Sequence, residues 1–171
     1  MAEDGLGGEK VSPIISKKDM SEEDIKLNFI TPALLSHGWK DRITMETKVQ
    51  FTDGKVNIKG NLVSHDPAKK ADYILYINAN NPIAIVEAKD NNHGVSYGLQ
   101  QAKTYAEMMD IPFAYSSNGD AFYEHDYLTG LEREIALDQF PTYDELFARF
   151  KAESNNGTGL LKASWEHKNT T

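Results

Sequence analysis

Apolar and polar positions along this chain fall into blocks whose period switches between helical and strand spacing. Ser21 and Asp24 form a capping box with the shorter acid, and Ile25, Phe29 and Leu34 recur behind it at helical spacing. This helix is expected to end at His37-Gly38, where glycine supplies a left-handed cap, and Pro32 is expected to kink it. Two strand-like runs follow, Ile43 to Phe51 and Lys55 to Leu62, with a hairpin turn at Thr52-Asp53-Gly54-Lys55. A second pair, Ala71 to Asn78 and Ile83 to Lys89, flanks a turn at Ala79-Asn80-Asn81-Pro82. Both of these runs are apolar on adjacent as well as alternate positions, the pattern of strands covered on both faces. After Asn91-Asn92-His93-Gly94, Val95 to Met109 reads as a helix whose stripe is Val95, Leu99, Ala102, Ala106 and Met109. Phe113 to Ser116 and Ala121 to Glu124 read as short strands around Asn118-Gly119, and Thr142 to Lys151 as a last helix. The order predicts an α/β fold, a central mixed β-sheet flanked by helices.

A chain of 171 residues is enough for one well-cored domain. Residues 1–20 are polar and Gly-rich and are expected to form a flexible N-terminal tail. Residues 21–151 would form the domain, and 152–171, with Asn155-Asn156-Gly157, a linker. No apolar run approaches the roughly 18 residues of a membrane span, so no membrane partner is expected. The first ten residues lack the pattern of a secretory signal, and the expected location is the cytoplasm. With no cysteine in the chain, disulfides, thiolate catalysis and Cys-ligated metals are excluded.

The formal net charge of −8 argues against a nucleic-acid partner until its distribution is considered. From Lys40 to Lys70 there are seven basic residues against four acidic ones, whereas Asp120 to Glu153 holds nine acidic against three basic. A local basic field facing phosphate is compatible with this, and so is ordinary solvated charge on edge strands.

Asp72, Glu87 and Lys89 change the picture most. Charged side chains inside strands that otherwise read as buried cost several kcal/mol unless ions or partners compensate. Glu87 and Lys89 are two apart, so they share a face. If Asn78 pairs with Ile83, Asp72 lies opposite Lys89 and diagonal to Glu87 on that face. Two carboxylates and an ammonium so placed are suited to metal-assisted phosphodiester hydrolysis: the acids bind Mg²⁺, and Lys89 orients water or stabilises developing phosphorane charge. A solvated strand-end Glu–Lys pair is the other reading of the three residues.

Asp72, fourteen residues, then Glu87-Ala88-Lys89 resembles the PD-(D/E)xK motif of restriction-endonuclease-like nucleases, without the proline. Gln101 and Tyr105 resemble the QxxxY element of the RecB-like group. The wider stretch, with Pro82 to His93 and Ser116 to Asp120, is similar to the N-terminal domain of the restriction (R) subunit of type I restriction-modification enzymes, over about Ser21 to Phe150. The resemblance implies a restriction-endonuclease-like fold and Mg²⁺-dependent cleavage of double-stranded DNA, with Mn²⁺ able to substitute. It implies Asp72, Glu87 and Lys89 as catalytic, with Asp72, Glu87 and the Ala88 carbonyl as metal ligands. Gln101 and Tyr105 would contact DNA or support the site. In that family two ATP-driven motor domains follow in the same polypeptide, and methylation and specificity subunits are partners. The chain has no P-loop pattern, so ATP would belong only to motor domains absent here. A non-catalytic docking module for DNA or subunits is the alternative use of the same fold.

Other residues carry less. Among the acids of the first helix, Glu22 is the candidate third metal ligand, against a role in capping the helix dipole. Lys69 and Lys70, just before Asp72, are candidate phosphate contacts. His93 reads as a proton shuttle or a structural turn histidine, and Tyr73, Tyr76 and Tyr97 as packing groups.

Overall fold

The computed structural model describes residues 14–49 and 69–155. The expected turn Thr52–Lys55 and the expected strand Lys55–Leu62 lie outside the described residues. The chain forms a six-stranded mixed sheet in the order β1 (Ile43–Val49), β2 (Lys69–Asn78), β3 (Asn81–Ala88), β4 (Phe113–Ser117), β5 (Ala121–Asp126) and β6 (Glu132–Ala136). Only β3 and β4 are parallel; the other neighbours are antiparallel. The crossover between them carries α3 (Leu99–Met109).

Before the sheet comes a helical rod that alternates in type: α1 (Glu22–Ile25), a π-helical turn (Lys26–Ile30), α2 (Thr31–Leu34) and a second π-helical stretch (Leu35–Trp39). The capping box at Ser21 is reciprocal, Asp24 N–H donating to the Ser21 hydroxyl and Ser21 N–H to the Asp24 carboxylate. Pro32 has no N–H for the carbonyl four residues back, and the rod accommodates it beside a π turn rather than breaking. Gly38 ends the rod in the left-handed region, φ +88°.

The two faces of the sheet are covered by different helices. One core joins Ile25, Ile30, Leu34 and Trp39 of the rod to Tyr73, Leu75, Val86 and Tyr115 and to Leu146 and Phe150 of α4 (Tyr143–Asn155). The other sets Ala102, Tyr105 and Ala106 of α3 on Ile74, Ile85 and Ala114. β2 and β3 are thus buried on both sides, as their near-continuous apolar sequence requires.

Three differences from the sequence reading have physical causes. Residues 95–98 are turns, and α3 starts only after Gly98, whose N–H donates to the Ser116 hydroxyl at 2.9 Å. β6, Glu-Arg-Glu-Ile-Ala, escapes a hydrophobicity pattern because only Ile135 is buried, which is what a charged edge strand looks like. The described part of the expected tail packs on the domain: the Lys17 ammonium donates to the Gly119 carbonyl at 2.9 Å, and Met20 is buried.

Gly119 fills a place only glycine fits. Its φ is +90°, and a Cβ there would lie 2.9 Å from Ile25 Cγ2. Gly119→Ala is therefore expected to lower stability by about 1–3 kcal/mol, read as a lower urea midpoint with an unchanged slope.

Candidate active site

The β2–β3 hairpin sets the geometry. Its turn is the two residues Ala79-Asn80, closed by Asn78↔Asn81, not the four-residue loop expected from sequence. The Asn78 carboxamide oxygen holds the turn, accepting from Asn80 N–H at 3.1 Å and from the Asn81 amide at 2.7 Å. Pro82, lacking an N–H, falls at the irregularity opposite Tyr76. The ladder then reads Tyr73↔Val86 and Ile74↔Ile85, which brings Asp72 level with Glu87 instead of Lys89. A shift of two residues preserves the phase of the pairing, so Asp72 stays beside Glu87 and within reach of the rod.

Asp72 and Glu87 grip each other's backbone. The Asp72 N–H donates to Glu87 Oε2 at 3.0 Å, and the Ala88 N–H donates to Asp72 Oδ2 at 2.8 Å. Both carboxyls are buried, Glu87 at 2% exposure and Asp72 at 9%. Burial first, and then the Asp72 charge, push Glu87 up to about 8; burial likewise raises Asp72 above the usual carboxylate range, against the lowering by the Ala88 N–H and Lys26.

A second buried carboxylate shows what full compensation looks like. Glu124, 1% exposed, accepts from Arg149 at 3.0 and 3.1 Å, from Arg133 at 2.9 Å and from the Tyr115 hydroxyl at 2.6 Å. Burial raises its pKa, but these donors bring it below the ordinary value. With Asp126, which accepts from Arg149 at 2.9 Å, that cluster sets two carboxylates against two guanidinium groups and fastens α4 to the sheet. Glu87 receives no guanidinium, and a buried carboxyl with a raised pKa beside a second acid is the kind of group that clusters at functional sites.

Lys89 is half-buried at the end of β3; its N–H donates to the Ser117 carbonyl at 2.9 Å, and its charge acts on Glu87 and Glu22. Glu22, at the start of α1, has its pKa raised by burial and then by the Asp72 charge, so it lies near enough to feel the site's charges. On α3, Gln101 donates to the Tyr105 hydroxyl at 2.8 Å, and buried Tyr105 feels the charges of Glu87 and Asp72. Lys69 and Lys70 are exposed at the start of β2, paired with Val49 and Lys48. His93 Nδ1 bonds Asp90 at 3.0 Å, holding the turn. Tyr97, read from sequence as packing, is 62% exposed, with its ring 4.2 Å from His93 and 6.0 Å from the Lys89 ammonium.

Two further residues, with no part in the sequence reading, join the site. Lys26, buried at 1% exposure, donates to Asp72 Oδ1 at 3.2 Å, to Glu23 at 3.1 Å and, closest, to Glu46. The sequence held a signal for it, since Lys26 precedes buried Ile30 and Leu34 by one and two helical turns. Glu46 has no such signal: it sits in an exposed strand at φ +54°, a conformation rare for any residue but glycine.

Among the described residues no group of three or more His, Asp or Glu side chains is gathered to hold a metal ion. The carboxylate pair nonetheless fits a divalent cation, because two hard oxygen ligands share one buried place with a pKa shift that a cation would relieve.

In metal-free protein the carboxyl pair titrates as a unit. The fold favours protonated Glu87, so its stabilisation is complete below about pH 4.5 and lost as pH rises through 8. Urea unfolding in chelator should show stability falling over this window by on the order of a few kcal/mol, and Glu87→Gln should flatten the decline. Equal pH profiles for the two proteins would contradict the shift.

Comparison with known proteins agrees on one family. A family model described as the second domain of the type I restriction enzyme EcoKI endonuclease subunit matches residues 43–111, which contain Asp72, Glu87, Lys89, Gln101 and Tyr105. The type I restriction enzyme EcoAI endonuclease subunit of Escherichia coli is 35% identical over 140 residues, 80% of this chain. A solved fragment assigned as an HsdR subunit of a type I restriction enzyme from Vibrio vulnificus YJ016 is 42% identical over 80% of this chain, with a TM-score of 0.67. The chain spans 17% of the length of the first relative and 26% of the second.

Proposed function

The chain belongs with the R subunits of type I restriction enzymes, as an N-terminal domain of one, and from that premise we propose that it is their DNA-cutting unit. The reaction is Mg²⁺-dependent endonucleolytic cleavage of double-stranded DNA. One observation carries this reading: Asp72 and Glu87 lie side by side on buried strands, without the arginines that neutralise Glu124.

Asp72, Glu87 and the Ala88 carbonyl are the ligands in this reading, with Glu22 near them on α1. A divalent ion held there supplies a Lewis acid that polarises the scissile phosphate and acidifies water. Lys89, next along the same face, orients the attacking water or stabilises charge on the phosphorane. Gln101 and Tyr105 brace the α3 side, and Lys69 and Lys70 meet the DNA backbone. In the full-length enzyme, ATP-driven translocation by motor domains would deliver DNA, and methylation and specificity subunits would choose the site, in the cytoplasm.

A docking module for DNA or subunits is the competing reading, and the Lys26 ammonium on Asp72 favours it, since it supplies charge balance without a metal. Mn²⁺ calorimetry with a short DNA duplex separates the two. Heat is expected for the parent chain and for Lys89→Met, and at least tenfold weaker binding for Asp72→Ala and Glu87→Ala. Absence of binding in all four would leave the docking reading.

A further inference from the structure

Lys26 is the buried charge that cleavage chemistry leaves unused. Removing an ammonium from water costs several kcal/mol unless its donors are met. Here each of the three N–H donors has its own carboxylate, on Glu46, Glu23 and Asp72, and the Tyr73 ring lies 5.7 Å away. Burial alone would lower the pKa of Lys26, but the Glu46 hydrogen bond and the Asp72 charge raise it well above the ordinary lysine value.

The backbone on both sides is bent around this ammonium. Lys26 opens a π-helical turn, a form that often marks functional positions in helices. Glu46 interrupts the β1–β2 ladder between Met45↔Tyr73 and Thr47↔Ala71, so by register it falls opposite Asp72. Its left-handed conformation is strained, and its carboxylate is paired with Lys26.

The oxygens of Asp72 are divided. Oδ2 accepts from the Ala88 N–H, and Oδ1 accepts from Lys26. A cation approaching Asp72 therefore meets the oxygen that Lys26 holds.

Resting on the nuclease reading above, we propose that Lys26 is the resident cation of this site. It neutralises Asp72 while no divalent ion is bound and gives up that oxygen when one binds, withdrawing onto Glu46 and Glu23. Two of its three hydrogen bonds survive the move, so the exchange needs no unfolding of the rod. Lys26 is a positioning residue in this scheme: it acts through Asp72 and does not touch the scissile phosphate. Its presence has two opposed effects, holding the metal-free site together and weakening the divalent affinity. A lysine with only a structural role would do the reverse, because its loss would loosen Asp72 and weaken ion binding.

Mn²⁺ calorimetry with a DNA duplex, together with thermal unfolding in chelator, tests this on the whole 171-residue chain. Lys26→Met should lower the unfolding midpoint in chelator yet tighten Mn²⁺ binding by on the order of tenfold, the scale of removing one nearby like charge. Glu46→Gln, at an exposed strand position, should weaken Mn²⁺ binding by a similar factor, because Lys26 then leans harder on Asp72. The Glu46→Gln effect should vanish in the Lys26→Met background; simple additivity would instead indicate a general field and overturn the exchange. Unchanged or weaker Mn²⁺ binding in folded Lys26→Met also overturns it. If that variant does not fold, Lys26→Gln takes its place in the same cycle, and unchanged or weaker Mn²⁺ binding there refutes the proposal. Heat in the parent with these failures sinks only the role of Lys26, whereas no heat in the parent sinks the nuclease reading with it.

Discussion

Two carboxylates buried side by side on central strands are the constraint around which this domain is arranged. Asp72 and Glu87 each take a backbone N–H from beside the other, so the hairpin fixes both acids in one geometry. Hydrogen bonds from N–H groups ease the burial but bring no net positive charge. The Glu87 shift to about 8 is what remains uncompensated, and the surrounding elements are placed to meet it. Lys26 comes from the rod on one side, Tyr105 and Gln101 from α3 on the other, and Lys89 from the next same-face position on β3.

Holding these groups together depends on joints some distance from the acids. The loop after Lys89 is tied to the β4–β5 turn by Asn91 donating to the Asn118 carbonyl at 2.9 Å and Asn118 donating to the His93 carbonyl at 2.7 Å. Lys18 reaches the Asn91 carbonyl from the segment before the rod. Gly98 lets α3 start close under the sheet, where a Cβ would come within 3.0 Å of the Ser116 hydroxyl and 3.4 Å of Glu87 Cβ. The crossover thus sets the height of α3 above Glu87 by glycine and hydroxyl contact, and Tyr105 inherits that placement.

Much of this was legible in the residues. Apolar runs at Ala71–Asn78 and Ile83–Lys89 announce doubly covered strands, so charges inside them stand out, and period two puts Glu87 and Lys89 on one face. The register was not legible, because Asn78 can close either a two-residue or a four-residue turn and only the packed sheet chooses. Lys26 was visible in principle as a lysine on an apolar stripe, but helix patterns score lysine as solvent-facing. Glu46 was invisible: its role comes from a backbone conformation that no residue pattern encodes. β6 was missed for lack of hydrophobic signal, being charged at every position but Ile135 and Ala136.

The register difference also shows how the chemistry tolerates error in one direction only. Moving β3 by two residues along β2 exchanges which group faces Asp72, Lys89 or Glu87, yet keeps the phase of the pairing. Moving it by one would turn Glu87 and Lys89 to the face opposite Asp72. The pairing seen puts like charges level and the lysine beyond them, the less favourable order for the protein alone. A hairpin selected only for stability would set Lys89 opposite Asp72 and need no buried ammonium from the rod. That Lys89 is left at the strand end, while Lys26 is brought in to balance Asp72, argues for a site shaped by what it binds rather than by its own electrostatic comfort.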